Sequence, residues 1–266
     1  MIIMLGKGMI SLTTINIILE LKSIYKNYKK FSKMKLKRIV NKTIQYLGRD
    51  NYKVDSSLDY WNLVLMLVVK LRELVKGFFW NILRLRRPKF LFLGKNNTII
   101  HSNKLKIGRS VYIGNGVKIN ALVKKSIIIS DNVSIHDSTI IDGYGGLRSL
   151  GESCIIGKSV GISSGCYIQI RGFVSIGEGT IIGPGVKIFS ENHNFNDRNL
   201  HFSKQGENRI GVIINKNCWI GSGAIILDGA NIGEGAIIAA GAVVRGEIKS
   251  FGIYGGIPAK LIKYRQ

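Results

Sequence analysis

A strict six-residue repeat of apolar positions runs through the C-terminal part of the chain. Branched aliphatic residues recur at Ile214, Ile220, Ile226, Ile232, Ile238 and Val244. Small residues follow the first five at Cys218, Ala224, Ala230, Ala236 and Ala242. A helix would need apolar spacings of three and four, and an ordinary strand would alternate by two. The repeat predicts a β-solenoid whose coils each contain three short strands and three corners, with the aliphatic residues inside and the small residues at the tight corners.

The same period extends over roughly residues 100–266, with interruptions. It covers the segments 107–119, 129–141, 150–168 and 170–188, with a slip at 144–149 and a two-residue insertion near Gln169. One longer segment, residues 189–213, carries no six-residue period. Long loops inside a compact repeat are uncommon and usually functional. We therefore expect the chemistry of the protein in this extruded loop.

Residues 58–87 show a helical pattern instead. A helical wheel gathers Leu67, Leu71, Leu74, Val75, Phe78 and Ile82 on one half, and Asn62, Lys70, Glu73, Gly77, Asn81 and Arg84 on the other. The pattern predicts an amphipathic helix or helix pair, too interrupted by charge to cross a membrane. Two roles fit it: a cap over the end of the solenoid, or a helix whose Trp61, Trp80 and flanking arginines lie in an anionic membrane surface.

These patterns divide the chain into a basic, amphipathic helical region, residues 1–95, and a solenoid domain, residues 96–266. The N-terminal region carries 20 Lys and Arg against 5 Asp and Glu, so most of the net charge of +23 lies there. Residues 1–33 end in a lysine-rich segment that we interpret as a solvated charge run. An independent start at Met34 is an alternative, because the sequence that follows it opens like an N-terminus.

Composition narrows the class of protein. Three cysteines, with no C-x-x-C pair, predict free thiols in a reducing compartment. The opening residues lack the apolar core and cleavage site of a signal peptide. Basic charge alone, with few interleaved aromatic residues and no motif, does not indicate nucleic-acid binding. The four histidines lack the spacing of a three-histidine metal site, so we expect no metal.

Two segments carry a family resemblance. IGSGAIILDGANIGEGAIIAAGAVV and GGIPAKLI resemble the hexapeptide-repeat acyltransferases, in particular the maltose and galactoside O-acetyltransferases and the O-acetyltransferases of capsular and exopolysaccharide assembly. The resemblance implies an all-β solenoid wound as a left-handed parallel β-helix, here with an α-helical N-terminal region. Handedness comes from the resemblance alone, since crossover connections are normally right-handed.

The loop sequence ENHNF supplies the candidate catalytic residue. Acetyl transfer to an alcohol needs a base for the hydroxyl proton, and histidine suits this role because its ordinary pKa lies near neutrality. In the acetyltransferases that this sequence resembles, an extended loop at this point presents the catalytic histidine. The resemblance implies that His193 is that residue here. Glu191 or a backbone carbonyl would orient the imidazole. His201 has no such match and is expected to have no catalytic role.

The resemblance also implies the ligands. Acetyl-CoA is the expected donor, with contacts at Ser222, Ala240, Arg245, Gly246, Lys260 and Lys263. Arg245 and Gly246 stand where relatives often carry Thr-Lys, and the two lysines would serve as cations for the CoA phosphates. Acceptor contacts are expected at Ser163, Gln169 and Glu191. Trp219 is expected to pack beside a corner.

Together these features predict an O-acetyltransferase that acts on a sugar or lipid-linked glycan of capsular or exopolysaccharide assembly. A homotrimer is implied, in the cytoplasm or at the inner membrane face, with residues 58–87 as a candidate peripheral membrane contact. Two rivals stay open. The first is a transferase of the same fold that acetylates serine or the amine of a nucleotide-linked amino sugar. The second is a non-catalytic solenoid that binds a glycan or a partner.

Overall fold

The computed structural model describes residues 2–4, 9–11, 23, 34–46, 53–87, 89–146 and 149–266. The chain divides into two compact units, Met1–Val69 and Lys70–Gln266. In the first, strands β1 (Ile2–Met4) and β2 (Met9–Ser11) pair antiparallel, and residues 34–46 form helix α1. Most of the lysine-rich segment lies outside the described residues. Neither the alternative start at Met34 nor the predicted boundary at residue 95 is decided by this division, and both stay predictions.

Helix α2 (Tyr60–Ile82) is the long helix predicted within residues 58–87. It starts after Asp59, whose side-chain oxygen accepts a hydrogen bond from the backbone N–H of Asn62 at 3.0 Å and so satisfies one of the free donors of the first turn. It ends at Ile82, and the turn that follows contains Leu85, whose φ of 52° lies in the left-handed region. Within the described residues, no helix is long and apolar enough to cross a membrane.

Three sheets of mostly parallel strands form the solenoid, and β-labels follow chain order. Sheet I contains β3 (Leu91–Leu93), β6 (Val111–Ile113), β9 (Ser134–Ile135), β12 (Gly161–Ile162), β15 (Ile181–Ile182), β20 (Trp219–Ile220), β23 (Ile237–Ile238), β26 (Gly252–Gly255) and β27 (Lys260–Tyr264). Sheet II contains β4 (Thr98–Ile100), β7 (Lys118–Asn120), β10 (Ile140–Asp142), β13 (Tyr167–Gln169), β16 (Lys187–Ile188), β21 (Ile225–Ile226) and β24 (Val243–Val244). Sheet III contains β5 (Leu105–Ile107), β8 (Ile127–Ile129), β11 (Ser153–Ile156), β14 (Phe173–Ile176), β19 (Val212–Ile214), β22 (Asn231–Ile232) and β25 (Glu247–Ile248).

Successive coils stack in register, rung on rung. Ile182 pairs with Ile220, and Ile220 pairs with Ile238, in parallel. Every aliphatic residue of the ladder from Ile214 to Val244 is buried, as are the five small residues between them. Each buried isoleucine contributes about 1.5–3 kcal/mol relative to an exposed one. The predicted parallel β-helix with an α-helical N-terminal region is confirmed, and its left-handed winding stays an expectation from the resemblance.

The prediction for Trp219 is wrong. Its side chain is 55% exposed on the outer face of sheet I, because it directly precedes the inward Ile220 and strand side chains alternate between faces. The alternation of side chains along the strand, with a period of two, therefore places the Trp219 side chain on the outer face.

The three corners of the coil differ in length. Corner I/II, between sheets I and II, is a four-residue turn in every coil from 94–97 to 239–242. Corner III/I contains three or four residues throughout. Corner II/III varies widely, from residues 245–246 to the loop 189–211. The slip near 144–149, the insertion near Gln169 and the extruded loop all fall at this one corner.

Corners I/II and III/I, which we call the constant corners, have a repeating conformation. The residue before each small or β-branched corner residue has a positive φ, as in Asn217 (59°) and Gly241 (70°). Glycine adopts this conformation freely, and asparagine tolerates it better than most residues. The side chain that follows then turns into the core, where Thr180 donates a hydrogen bond to the backbone oxygen of Asn215.

The C-terminal part of α2 packs against sheet I through the polar side of its helical wheel. Gly77 lies so close to edge strand β3 that a Cβ would stand 1.9 Å from the backbone oxygen of Leu91. Lys76 Nζ donates to the backbone oxygen of Gly94 at 2.9 Å, and Lys70 Nζ lies 3.8 Å from the ring centroid of Tyr112. Residues 70–82 thus cover the terminal strand, as a cap does, but the helical pattern alone did not indicate which face is covered.

Candidate active site

The loop at corner II/III, residues 189–211, is built as a distorted hairpin. Strand β17 (Asn192–His193) pairs antiparallel with β18 (Glu207–Asn208), so that His193 lies opposite Glu207. A short 3₁₀ turn, Phe202–Lys204, lies between them. The ladder resumes at Val212, where β19 pairs with β14. A short paired stem therefore fixes the backbone at the candidate base.

Side-chain hydrogen bonds hold the tip of the loop. The side chain of Gln205 accepts from the backbone N–H of Asp197 at 3.1 Å and donates to the backbone oxygens of Asp197 and Leu200 at 2.9 and 2.8 Å. Asn194 Nδ2 in turn donates to the backbone oxygen of Gln205 at 2.9 Å. The tip is therefore organised from within, although most of it is exposed.

An ion pair closes the base of the loop. Arg209 Nη2 lies 2.5 Å from Glu191 Oε2, and only 18% and 12% of the two side chains are exposed. Arg209 Nη1 also donates to the backbone oxygen of Leu150 at 3.2 Å, across to an earlier coil. The carboxylate expected to orient His193 or to touch the acceptor is therefore engaged by Arg209. Among the described residues, no hydrogen bond joins it to His193.

A second buried carboxylate anchors the end of the loop. Asp228 is almost fully buried at the same corner of the next coil. Its oxygens accept hydrogen bonds from the backbone N–H groups of Ile210 at 3.1 Å and Gly211 at 2.7 Å. At the other end, the buried Ser190 hydroxyl donates to the backbone oxygen of Gln169 at 2.8 Å. Both ends of the loop are thus attached to neighbouring coils.

His193 is exposed and lines a cavity of about 320 Å³. The cavity is lined by Asn192, His193, Asn194, Phe195, Asn196, Asn208, Ile210, Asp228, Gly229, Arg245 and Gly246. The wall consists of four amide side chains, one imidazole, one guanidinium, one carboxylate, two apolar side chains and two glycines. The structure thus brings His193 together with two residues expected to contact CoA, Arg245 and Gly246.

The other residues expected at the CoA site lie elsewhere on the same end of the solenoid. Ser222 and Ala240 stack on each other at corner I/II, where Gly241 N–H donates to the Ser222 backbone oxygen at 2.9 Å. Sheet II separates them from Arg245. Lys260 and Lys263 lie on β27, the exposed final strand, which runs antiparallel to β26. The predicted contacts therefore spread over two corners and an edge strand.

The two remaining acceptor predictions also separate. Ser163 lies at corner I/II, where its backbone oxygen accepts from the hydroxyl of Thr139 at 3.1 Å. Gln169 ends strand β13 beside the loop base, and its Oε1 is buried without a hydrogen-bond partner among the described residues. Only Gln169 thus lies at the corner that carries the loop.

Arg209 and Asp228 are the structural residues of the site that the sequence pattern did not reveal. Arg209 falls in a segment without periodicity, and its partner Glu191 is distant in sequence. The signal for Asp228 was available: it interrupts the apolar segment IILDGA of the ladder as an acidic residue next to a corner glycine. A charge in such a position requires a partner, because burying an unpaired carboxylate is costly.

The three cysteines are free and buried. Burial raises the pKa of the Cys154 thiol to about 12, and it also raises the pKa values of Cys166 and Cys218. Since the thiolate is the nucleophile, these residues are poorly suited to covalent chemistry. In the part of the chain that the structure describes, no group of three His, Cys, Asp or Glu side chains could hold a metal ion.

Comparison with known proteins identifies the repeat. Residues 211–246 match the family model "Bacterial transferase hexapeptide (six repeats)". Residues 211–246 of the solenoid therefore carry the hexapeptide repeat of bacterial transferases, the repeat that the sequence resembles. The narrower resemblance to maltose and galactoside O-acetyltransferases stays a prediction.

Among curated proteins, the chain is 31% identical over 199 residues to "Probable acetyltransferase Rv3034c" of Mycobacterium tuberculosis. The match covers 71% of this chain and 57% of that relative. A match to "Nodulation protein L" of Rhizobium leguminosarum bv. viciae has 40% identity over 76 residues, or 28% of this chain and 38% of the relative. The chain thus spans less than two thirds of the length of either relative.

Among solved structures, the chain is similar to a hexapeptide-repeat acetyltransferase of Vibrio cholerae, VCA0836, complexed with acetyl-CoA. Identity is 16%, the TM-score is 0.44, and coverage is 62% of this chain and 74% of the other. The polySia-specific acetyltransferase NeuO matches with 21% identity and a TM-score of 0.39, over 64% of this chain and 77% of its own. Scores of this size carry no argument about activity.

Proposed function

We propose that this protein is an acetyl-CoA-dependent O-acetyltransferase that acetylates a sugar hydroxyl, with His193 as the general base. The observation that supports the proposal is that His193 shares one cavity with Arg245 and Gly246, two of the residues expected to contact CoA. The matched family model and the name of the mycobacterial relative point to the same class of reaction.

The chemistry requires one base and no covalent intermediate on the protein. His193 removes the proton of the acceptor hydroxyl, and the oxygen attacks the thioester carbonyl carbon. The C–S bond breaks, the acetyl group forms an ester with the acceptor, and the CoA sulfur takes up the proton that His193 carried. The buried, protonated cysteines are consistent with direct transfer in a ternary complex.

Residues around the last coils would hold CoA. The small side chains of Ser222 and Ala240 leave room beside backbone donors and acceptors for the pantetheine arm, and the backbone of Gly246 allows close approach. Arg245, Lys260 and Lys263 supply positive charge for the phosphates, and all three lie on the C-terminal coils.

The acceptor would enter the amide-lined side of the cavity. Asn192, Asn194, Asn196 and Asn208 offer donors and acceptors for several hydroxyl groups, and Phe195 is an exposed aromatic side chain suited to the face of a sugar ring. Ser163 and Gln169 are additional candidates for acceptor contacts. Free buried thiols fit a reducing compartment, so we place the protein in the cytoplasm, where it would act on a capsular or exopolysaccharide precursor.

We also propose a homotrimer, with the site completed between neighbouring solenoids. The exposed apolar side chains of Ile181 and Trp219 on the outer face of sheet I are consistent with a contact between copies.

The decisive experiment compares two histidines of the same loop. His193→Ala should lower kcat for acetyl transfer by about 10²- to 10⁴-fold, the usual contribution of a general base. His201→Ala, an exposed histidine outside the cavity lining, is the matched control and should retain activity. Rates are measured as CoA release with a panel of sugars, amino sugars and serine.

Two results would contradict the proposal. Equal activity of the His193→Ala and unaltered proteins would remove the histidine from its role. Acetylation of amines alone, with no hydroxyl accepted from the panel, would assign the protein to the N-acetyltransferases.

A further inference from the structure

Helix α2 carries an apolar surface that faces away from the solenoid. We call it the outward stripe: Leu71, Val75, Phe78, Phe79, Ile82 and Leu83. All six side chains are exposed, from 42% at Ile82 to 78% at Leu83. The opposite face, with Lys70, Glu73, Gly77 and Asn81, packs on sheet I or is buried. The amphipathic helix is thus inverted relative to an ordinary surface helix, whose apolar face covers the core.

Such an inversion is costly unless something covers the stripe. Six large apolar side chains on consecutive turns form a contiguous surface, and surfaces of this kind mark interaction sites. The inward face does not leave the helix free to rotate. Gly77 fits tightly against Leu91, and Lys76 and Lys70 make specific contacts with Gly94 and Tyr112. The stripe therefore faces outward as a fixed property of the fold.

Positive charge lies mainly at the C-terminal end of the stripe. Arg72 lies on the helix beside it, and Arg84, Arg86, Arg87 and Lys89 follow its C-terminal end. Arg84 and Arg86 lie 4.4 and 5.2 Å from the ring centroid of Trp80, a buried residue of the covered face. Both also donate hydrogen bonds to Ser102, so their positions at that end are fixed. The first 95 residues carry 20 Lys and Arg against 5 Asp and Glu.

We propose that the outward stripe binds the surface of an anionic membrane, with α2 lying in the plane of the interface. Large apolar side chains would enter the boundary between headgroups and acyl chains, while Arg72 and the cations at the C-terminal end attract anionic lipid. A second copy of the chain fits less well, because pairing two stripes would bring equal positive charges together. The inference stands on the geometry of α2 and does not depend on acetyl transfer.

Vesicle co-sedimentation of the full-length protein tests the proposal. Vesicles of phosphatidylcholine alone are compared with vesicles of phosphatidylcholine and phosphatidylglycerol at low and high salt. We expect binding to the anionic vesicles, weakened by salt, and a loss of at least about tenfold in affinity for Phe78→Ser. Phe202→Ser is the matched control, since Phe202 is an exposed phenylalanine of the loop at corner II/III, and it should bind as the unaltered protein does.

Three outcomes would overturn the proposal. The first is failure of the full-length protein to bind anionic vesicles. The second is equal loss of binding in the two phenylalanine variants. The third is a change of oligomeric state in Phe78→Ser, measured by light scattering, without a change in vesicle binding, which would assign the stripe to a contact between copies. His193→Ala should bind vesicles normally, so that failure of this inference is distinguishable from failure of the proposed reaction.

Discussion

Corners I/II and II/III lie on either side of the same sheet, yet they follow different rules. At corner I/II every coil uses four residues, and each turn donates a backbone hydrogen bond to the turn before it, as Gly185 N–H does to the Ser164 oxygen at 3.0 Å. At corner II/III the connection grows from residues 245–246 to residues 189–211. Only the second corner tolerates insertion, and it carries the candidate base.

The physical difference lies in what restrains each turn. A turn at corner I/II places one residue at positive φ and, next to it, one small or β-branched side chain in the core, so both the backbone conformation and the core restrict its length. The loop at corner II/III leaves the stack and has no neighbouring turn to bond with along most of its length. It depends on its own side chains, chiefly Gln205, Arg209 and the anchor at Asp228. The proposed catalytic residue thus lies where the repeat permits variation, and loops of other repeat proteins often form the binding face in the same way.

Inserting two glycines at either corner should give the largest difference in the free energy of unfolding between corners I/II and II/III. Placed between Ser164 and Gly165, they displace Cys166 from the core and break the turn-to-turn hydrogen bond, so we expect a loss of about 3 kcal/mol or more in the free energy of unfolding. Placed between Arg198 and Asn199, they lengthen an exposed loop, which should cost less than about 1 kcal/mol. Urea denaturation measures both values, and equal losses would contradict the difference between the corners.

The ion pair at the base of the loop should show an intermediate effect. In a double-mutant cycle with Arg209→Gln and Glu191→Gln, we expect a coupling of about 1–3 kcal/mol, because the pair is mostly buried. Hydrogen exchange of the loop amides measures the free energy of local opening.

The exposed pair Lys216–Glu234, at corner III/I, is the control for this cycle. Its charged atoms lie 3.4 Å apart and both side chains are largely exposed, so its coupling should stay below about 1 kcal/mol. Similar coupling in both pairs would mean that the loop base is no more restrained than the surface.

The sequence predicted the coil, the inward rungs and the loop, because a period of six reports directly on which residues enter the core. It did not reveal that the interruptions share one corner, since a slip in a period does not say which side of the coil it belongs to. Nor did it reveal the Glu191–Arg209 pair, which forms only when the loop folds back on itself. For α2, the helical period separated two faces correctly, but it could not show that the polar face is the covered one.

Chemical modification of the cysteines should have the smallest effect, namely none. Cys166 ends a turn at corner I/II and Cys218 ends one at corner III/I, each with its thiol donating toward a backbone oxygen, and Cys154 lies within β11. Burial raises all three pKa values, and that of Cys154 reaches about 12, so almost no thiolate forms near neutral pH. Iodoacetamide at neutral pH should leave the native protein unlabelled and fully active, while the urea-unfolded chain takes up three groups, as mass spectrometry would show. Labelling of Cys166 or Cys218 in the native protein would mean that the constant corners open, and that their fixed length does not reflect a closed core.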